Sequence, residues 1–218
     1  MTIDIKKYKH FSFDLWLTLI QSNPEFKKKR NLLFKEFFEI DQPIEKVSDI
    51  IRHYDIFCNK MNEKTGLNID TFEIYYLILN SLGKTIEAID LKRLHYFYLE
   101  SELLFLNYKP TLIVPEIKRI LKEITEQDKT INILSNTAFI KGTTLRKIIE
   151  HYELSDYFLF QLYSDETGFS KPNYKMFEML YQKIENKNIS KSEILHLGDN
   201  KIADFDGAIN FGFNAQLV

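Results

Sequence analysis

Cysteine is almost absent from this 218-residue sequence, which contains a single one, Cys58. One cysteine cannot form an internal disulfide, so the sequence predicts a protein of a reducing compartment, and we expect the cytoplasm. The N-terminal residues lack the apolar stretch of a signal peptide, and no apolar run approaches the roughly 18 residues of a membrane span. We therefore expect a soluble protein without a membrane partner.

An excess of charge of either sign is lacking too. The 29 Lys and Arg residues nearly balance the 31 Asp and Glu residues, which gives a formal net charge of −2 at pH 7. Nucleic-acid binding rests largely on basic surfaces, so this balance favours no nucleic-acid partner. Repeats and low-complexity tracts are absent, and the length suits one domain of moderate size or a domain with an insertion.

Short apolar runs bounded by polar residues recur along the chain, and each has the length of a strand. These runs are 10–14, 131–135, 157–164, 193–198 and 213–218. Helical patterns of suitable length lie between the later runs, at 139–151, 173–186 and 201–211. Strands that alternate with helices pair in parallel. The sequence therefore predicts an α/β fold, with a Rossmann-like parallel sheet and helices on both of its faces.

Residues 20–109 break this alternation. They show helical periodicity without a convincing strand, and they divide into four helical segments. Pro24 suits the first turn of the first segment, and Gly66 suits the end of the second. We predict an α/β core at residues 1–19 and 110–218, and an inserted all-helical, four-helix module at residues 20–109.

Polar side chains follow four of the predicted strands. Ligand sites of open parallel sheets lie off the carboxyl ends of the strands. Each side chain alone is typical of turns, but together, at four strand ends, they favour one shared site. The candidates in chain order are Asp14 after the first run, Ser135 and Asn136 after the second, Lys171 after the third, and Asp199 and Asp204 after the fourth.

The carboxylates among these candidates suit covalent catalysis beside a metal ion. A carboxylate can attack phosphorus or an electrophilic carbon and form a covalent intermediate. A divalent metal reduces the repulsion between that carboxylate and a phosphate, and Mg²⁺ prefers hard oxygen ligands. We expect Asp14 and Asp199 to bind Mg²⁺, with Asp204 as a third ligand or as a neighbour of the ligands.

The remaining candidates suit phosphate binding. The Ser135 hydroxyl, the Asn136 segment with its backbone N–H groups, and the Lys171 ammonium group can each hold phosphoryl oxygens. Lys171 would also offset the clustered carboxylates and keep Asp14 ionised.

Four segments of the chain, in order, resemble the motifs of the haloacid dehalogenase superfamily of hydrolases, which includes many phosphatases. The segments are "FDLWLTL", "ILSNT", "FSKPNYKMF" and "LHLGDNKIADFDGA", and they span residues 11 to about 210. The helical insertion is similar to the family's helical cap, which closes over the active site and shapes substrate choice; residues 20–109 are called the cap below. The resemblance implies Asp14 as nucleophile and metal ligand, Ser135 as phosphate-binding hydroxyl, Lys171 as stabilising lysine, and Asp199 and Asp204 as metal-site acids.

Trp16 is a departure from the family pattern. Family phosphatases usually carry an aspartate two residues after the nucleophile, which acts as general acid and base and binds the metal through its backbone carbonyl. Indole neither gives nor takes a proton at neutral pH. Loss of general acid–base catalysis typically costs on the order of 10²–10⁴ in rate. The substitution leaves the backbone carbonyl intact, so we expect the Trp16 carbonyl to remain a metal ligand.

Three functions stay open at this point. The first is a Mg²⁺-dependent phosphatase of restricted activity, which acts on a small phosphorylated metabolite through an aspartyl-phosphate intermediate. The second is a 2-haloacid dehalogenase-type carbon–halogen hydrolase, because family dehalogenases also lack the second aspartate and need no metal. The third is a non-catalytic ligand-binding protein of the same fold. Asp199 favours the phosphatase, because a second carboxylate beside Asp14 has little purpose without a metal.

Overall fold

The computed structural model describes residues 3–85, 90–184 and 188–218. Its strands are β1 (His10–Phe13), β2 (Ile20–Gln21), β3 (Thr111–Leu112), β4 (Thr130–Ser135), β5 (Phe160–Tyr163), β6 (Ile194–Gly198) and β7 (Asn214–Leu217). Its α-helices are α1 (Pro24–Phe37), α2 (Ile44–Thr65), α3 (Thr71–Ser81), α4 (Leu91–Asn107), α5 (Ile117–Thr125), α6 (Gly142–His151), α7 (Ser164–Thr167), α8 (Tyr174–Ile184) and α9 (Gly207–Phe211).

Five strands form one parallel sheet in the order β5–β4–β1–β6–β7. The strand β1 lies in the centre, where Phe13 is in register with Ile133 of β4 and Leu197 of β6. The three strand ends therefore meet at one edge of the sheet. The predicted parallel α/β sheet is confirmed.

Helices cover both faces of this sheet, as predicted. Successive side chains of a strand point to opposite faces. Phe11 and Phe13 pack in one cluster with the apolar residues of α5 and α6, whereas Leu134 and Ile194 pack in a second cluster with those of α8 and α9. The second face also buries hydrogen-bonded polar side chains of the central strands.

The cap contains the four predicted helices, α1 to α4, which lie between β2 and β3. Helix α1 begins with Pro24, and the Asn23 side chain accepts a hydrogen bond from the N–H of Glu25. Helix α2 ends at Gly66, which adopts the left-handed conformation with φ +69°. A capping box of Asp70 and Glu73 begins α3. Local capping thus sets the helix ends where the sequence predicts them.

Some elements differ from the sequence-based expectations. The run 157–164 contains only the four-residue strand β5, because residues 155–157 form a 3₁₀ turn and Ser164 begins α7. Strands β2 and β3, an antiparallel pair at the base of the cap, and the helix α5 were not predicted. The pattern 201–211 is helical but begins as a π-helical segment, Lys201–Asp206.

Within residues 3–85, 90–184 and 188–218, no helix is both long enough and apolar enough to cross a membrane.

Candidate active site

Asp14 stands directly after β1, at the carboxyl edge of the sheet. Its backbone N–H still donates to the carbonyl of Leu197 at 2.8 Å, so the central sheet holds the residue in place. The chain then turns tightly, and Leu17 adopts a left-handed φ of +58°, which is strained for a residue with a branched side chain. This turn brings the Thr18 hydroxyl back to donate to Asp14 Oδ2 at 3.2 Å.

Lys171 lies between two carboxylates. Its ammonium group is 2.8 Å from Asp14 Oδ1 and 2.5 Å from Asp204 Oδ1, and the residue is only 1% exposed. The Ser135 hydroxyl, at the end of β4, donates to the same Asp14 oxygen at 3.0 Å. Residues that follow two other predicted strands therefore contact the Asp14 carboxylate, and Lys171 links it to a residue that follows a third.

The side chain of Asn136 binds the backbone of Lys171 on both sides. Its amide donates to the Lys171 carbonyl at 2.9 Å, and its oxygen accepts from the Lys171 N–H at 2.7 Å. This pair joins the end of β4 to the loop that carries the lysine. Asn136 also lines the cavity described below, whereas Ser135 does not. Phosphate binding by these two residues stays a prediction.

Asp199 and Asp204 follow β6. The Asn200 side chain accepts from the N–H groups of Ile202 and Ala203, which begins the π-helical segment, and the Asn200 N–H donates to Asp204 Oδ2 at 3.0 Å. Such segments are frequent at functional sites. Gly198 permits the close approach, because a Cβ there would lie 2.2 Å from Asp204 Cγ.

The three aspartates form a site that suits a hard divalent cation. Asp14, Asp199 and Asp204 each offer a carboxylate oxygen, and these oxygens lie within 4.8 Å of one another. Asp14 and Asp204 are buried while Asp199 is exposed, so the cluster opens toward solvent on one side. Carboxylate oxygens with room for water match the coordination of Mg²⁺.

Burial dominates the electrostatics of Asp14. Desolvation raises the pKa of this carboxyl to about 6, although Lys171 acts in the opposite direction, and Asp204 raises it further. Lys171 thus lowers the pKa of Asp14 without restoring an ordinary carboxyl value.

The pKa values of Asp204 and His196 are lowered, in contrast to that of Asp14. Burial would raise the pKa of Asp204, but Lys171 and His196 outweigh it and hold that pKa well below its usual range. Burial lowers the pKa of His196, which is therefore neutral at pH 7. His196 Nε2 lies 3.1 Å from Asp204 Oδ1 and its Nδ1 lies 2.9 Å from the Ser12 hydroxyl. A neutral ring that donates to Asp204 and accepts from Ser12 satisfies both contacts.

Trp16 has two environments. Its half-buried ring packs against the cap, with its centroid 6.2 Å from that of Phe105, and it also lines the cavity beside Asp14. The indole therefore forms part of the wall of the cavity that contains Asp14. Metal binding by the Trp16 carbonyl stays a prediction.

A cavity of about 320 Å³ lies between the core and the cap. Its floor contains Asp14, Lys171 and Asp199. The cap contributes two helix faces, which are Phe26, Lys27 and Arg30 of α1 and Asp55, Asn59 and Glu63 of α2. Glu63 also accepts a hydrogen bond from Asn200, so cap and core touch beside the aspartate cluster. The volume suits a small ligand.

Several residues of this site were not predicted from the sequence. His196 sits inside an apolar strand, and its partners are distant in the chain or lie in another element. Arg30 and Glu63 lie on amphipathic helices, where charged residues usually face solvent. Only Thr18 carried a signal, because its position four residues after Asp14 allows a tight turn to return it to the carboxylate.

Comparison with known proteins identifies the family. A model of haloacid dehalogenase-like hydrolases matches residues 8–212, which is nearly the whole chain. A ribulose-1,5-bisphosphate 5-phosphatase from Halopiger xanaduensis is 33% identical over 106 residues, which cover 48% of this chain and 41% of that protein. The chain spans about half the length of the curated relatives it matches.

Solved structures of low identity share the fold. A HAD phosphatase from Thermococcus onnurineus superposes with a TM-score of 0.67 at 16% identity, with 95% of this chain and 84% of that chain covered. YfnB from Bacillus subtilis, described as a HAD-hydrolase and bound to magnesium, superposes with a TM-score of 0.64 at 18% identity, with 96% and 86% covered. The predicted resemblance is confirmed, and this chain belongs to the haloacid dehalogenase-like hydrolase family.

Proposed function

We propose that this hydrolase is a Mg²⁺-dependent phosphatase that acts on a small phosphorylated metabolite through an aspartyl-phosphate intermediate on Asp14. One observation carries the proposal: carboxylate oxygens of Asp14, Asp199 and Asp204 converge within 4.8 Å, and Lys171 bridges two of the three. A carbon–halogen hydrolase needs the nucleophile but has no use for a carboxylate such as Asp199 beside it.

The residues divide the reaction between them. A carboxylate oxygen of Asp14 forms a bond to phosphorus while the ester P–O bond breaks and the leaving group departs with its electron pair. Water then attacks the phosphorus, which releases inorganic phosphate and restores the Asp14 carboxylate. In this proposal Lys171 and the Ser135 hydroxyl, which both contact Asp14 Oδ1, stabilise charge on the phosphoryl oxygens.

Magnesium fits the donor set of this site. Asp14, Asp199 and Asp204 would hold the ion together with the carbonyl of Trp16. When bound, Mg²⁺ supplies Lewis-acid neutralisation of the phosphoryl charge. The magnesium-bound family member YfnB supports this choice of metal.

Trp16 restricts the substrates that this machinery can hydrolyse. The indole cannot protonate a departing alkoxide or take a proton from the attacking water. Acyl and aryl phosphates need little protonation of their leaving groups, so we expect them to react faster than alkyl phosphates.

The proposal also covers the division of the chain into core and cap, its partners and its cellular location. We assign residues 1–19 and 110–218 to the catalytic core and residues 20–109 to the cap, with the antiparallel pair β2–β3 at their junction. The substrate is a small molecule, with no nucleic-acid or membrane partner, in the cytoplasm. The similarity to a ribulose-1,5-bisphosphate 5-phosphatase supports a phosphate ester as the substrate.

The decisive assay measures turnover of a panel of acyl, aryl and alkyl phosphates, with and without Mg²⁺, for the wild type and Asp14→Asn. We expect Mg²⁺-stimulated turnover in the wild type and a loss of at least about 10³-fold in the variant. The proposal is wrong if no member of the panel shows Mg²⁺-stimulated turnover, or if Asp14→Asn retains it. Halide release from 2-haloacids without metal would favour the carbon–halogen hydrolase instead.

A further inference from the structure

Arg30 is a buried cation in the wall of the cavity. The residue lies on α1 and is only 8% exposed, yet it lines the same space as Asp14 and Lys171. A buried arginine is usually paired with a carboxylate, because removal of its charge from water is costly. Among the residues that the structure describes, no carboxylate oxygen lies within 4.0 Å of this guanidinium group, so its charge has no direct counter-ion.

The guanidinium group is nevertheless held in one orientation. Its Nε and Nη2 atoms donate to the Asn31 side-chain oxygen at 3.2 and 3.0 Å, and the Asn31 amide donates to the Ser48 hydroxyl of α2 at 3.1 Å. The ring of Phe139 lies against its face, with the ring centroid 4.6 Å away. In the described part of the chain, these contacts leave both N–H groups of Nη1 without an acceptor.

Two carboxylates of the cavity wall, those of Asp55 and Glu63, already have other partners. Asp55 lies on α2 and attracts Arg30 only through space, because its own carboxylate pairs with Arg52 at 2.9 Å. Glu63, further along the same helix, accepts a hydrogen bond from Asn200 of the core. Neither acid pairs with the arginine, which lines the cavity while the N–H groups of Nη1 remain without an acceptor in the described part of the chain.

We propose that Arg30 is the receptor for a second anionic group of the substrate, a carboxylate or a further phosphoryl group, in addition to the phosphoryl group that reacts at Asp14. The substrate class is thus a small phosphate ester with two anionic ends. This inference rests on the proposed function for the position of the reacting phosphoryl group. A bidentate oxyanion would supply the missing counter-ion and the missing acceptors at once.

The test measures binding, so that it does not depend on turnover. The probes are ω-phosphonoalkanoates with two to four methylene groups and the matching carboxamides, which have almost the same shape but a neutral end. Dissociation constants are measured calorimetrically with Mg²⁺ present. A hydrogen-bonded charge contact is worth about 10- to 100-fold in affinity, so for at least one spacer length the wild type binds the carboxylate at least about tenfold more tightly than the carboxamide.

Substitutions at position 30 test whether Arg30 causes this preference for the carboxylate over the carboxamide. In Arg30→Met the ratio of the two dissociation constants falls to within about twofold of one, mainly through weaker binding of the carboxylate. Arg119→Met, the same change at an exposed site on α5, leaves the ratio as in the wild type. If Arg30→Met does not fold, Arg30→Lys decides, because it removes the planar fork and is expected to reduce the ratio at least about threefold.

Equal affinities for carboxylate and carboxamide at every spacer length, a ratio that survives substitution of Arg30, or no binding of any probe would each overturn the inference. If the proposed phosphatase function is wrong but the inference about Arg30 is right, the results differ. In that case the preference for the anionic end persists in binding, but no phosphate ester is hydrolysed and Asp14→Asn changes no turnover.

Discussion

Two opposing requirements meet at the Asp14 side chain. The nucleophile that we propose must be ionised, but the Asp14 carboxylate is buried, and burial raises its pKa to about 6 in spite of the contact with Lys171. The folded state therefore binds a proton at this site more tightly than the unfolded chain, whose aspartates have the ordinary value of 3.8. Above pH 6 the ionised carboxylate destabilises the fold, and protonation relieves this penalty as the pH falls from 6 toward 4.

Asp14→Asn should consequently stabilise the metal-free protein at pH 8, by up to about 3 kcal/mol, since one pKa unit corresponds to about 1.4 kcal/mol. The gain should shrink as the pH falls from 6 to 4, because the wild-type carboxyl is then neutral as well. Urea unfolding at several pH values measures this difference. Asp156→Asn, at an exposed position, is the matched control and should show no such trend. A gain that stays constant over this pH range would contradict the raised pKa.

A second residue-scale prediction concerns Trp16. Trp16→Asp should raise the kcat for alkyl phosphates at least about tenfold, because it introduces a group that can protonate the leaving alkoxide. Acyl phosphates should gain less, because their leaving groups need no such help. Trp16→Phe keeps a ring against Phe105 without adding an acid and should show no gain. An equal gain for both substrate classes, or none, would show that another group already acts as the acid.

Prediction of individual residues from the sequence succeeded where chain position implied position in space. Asp14, Lys171 and Asp204 follow strands of one sheet, and parallel pairing brings them together. His196 and Arg30 could not be assigned in this way. A histidine within an apolar strand and an arginine on a helix are usually structural, and only the packing of distant elements gives each its place in the site.

At the scale of elements, the contact between the end of α2 and the loop before Lys171 joins the cap to the catalytic core. The Gly66 carbonyl accepts hydrogen bonds from the Ser170 N–H at 3.0 Å and from the Asn173 side chain at 2.9 Å. Gly66 has φ +69°, and a Cβ at this position would lie 2.6 Å from Asn173 Nδ2. Glycine is therefore required at position 66 for two reasons, the left-handed backbone conformation and the close approach of Asn173.

Gly66→Ala should lower the free energy of unfolding by at least about 2 kcal/mol, from left-handed strain and from the clash together. Gly83→Ala is a matched control, because Gly83 has φ +81° but a Cβ there meets nothing within 4 Å. It should cost about 1 kcal/mol, the strain alone. Denaturant midpoints of both variants give the comparison. Equal losses would show that the fold accommodates a Cβ beside Asn173 without cost.

Long helices and strands with a clear hydrophobic pattern were easier to predict than short ones. The helix α2 is 22 residues long, and its end at Gly66 was predicted. The strands β2 and β3 are only two residues long, too short for a recognisable pattern, and they form because they pair with each other across the insertion. The helix α5 was missed although Ile117, Leu121 and Ile124 follow helical spacing and are buried.

The whole molecule is a sheet domain with a helical insertion over the carboxyl edge of its sheet. The cavity between the two parts combines a floor that includes Asp14, Lys171 and Asp199 with a wall of cap residues, and Glu63 touches the core beside the aspartate cluster. The sequence indicates the floor, because it depends on strand order in the chain. The wall depends on how four helices pack over the sheet, which helical periodicity alone does not determine. The residues of the floor are thus readable from the sequence, while the residues of the wall require the structure.

The measurement that tests this account most directly is detection of a phosphoryl group on Asp14. The wild type is mixed with acetyl phosphate and Mg²⁺, quenched in acid after milliseconds to seconds, and analysed by intact-protein and peptide mass spectrometry. Because Trp16 cannot activate the hydrolytic water, the aspartyl phosphate should accumulate, at Asp14 alone, and be absent from Asp14→Asn. Mg²⁺-dependent turnover without this adduct, or an adduct that persists in Asp14→Asn, would contradict the account.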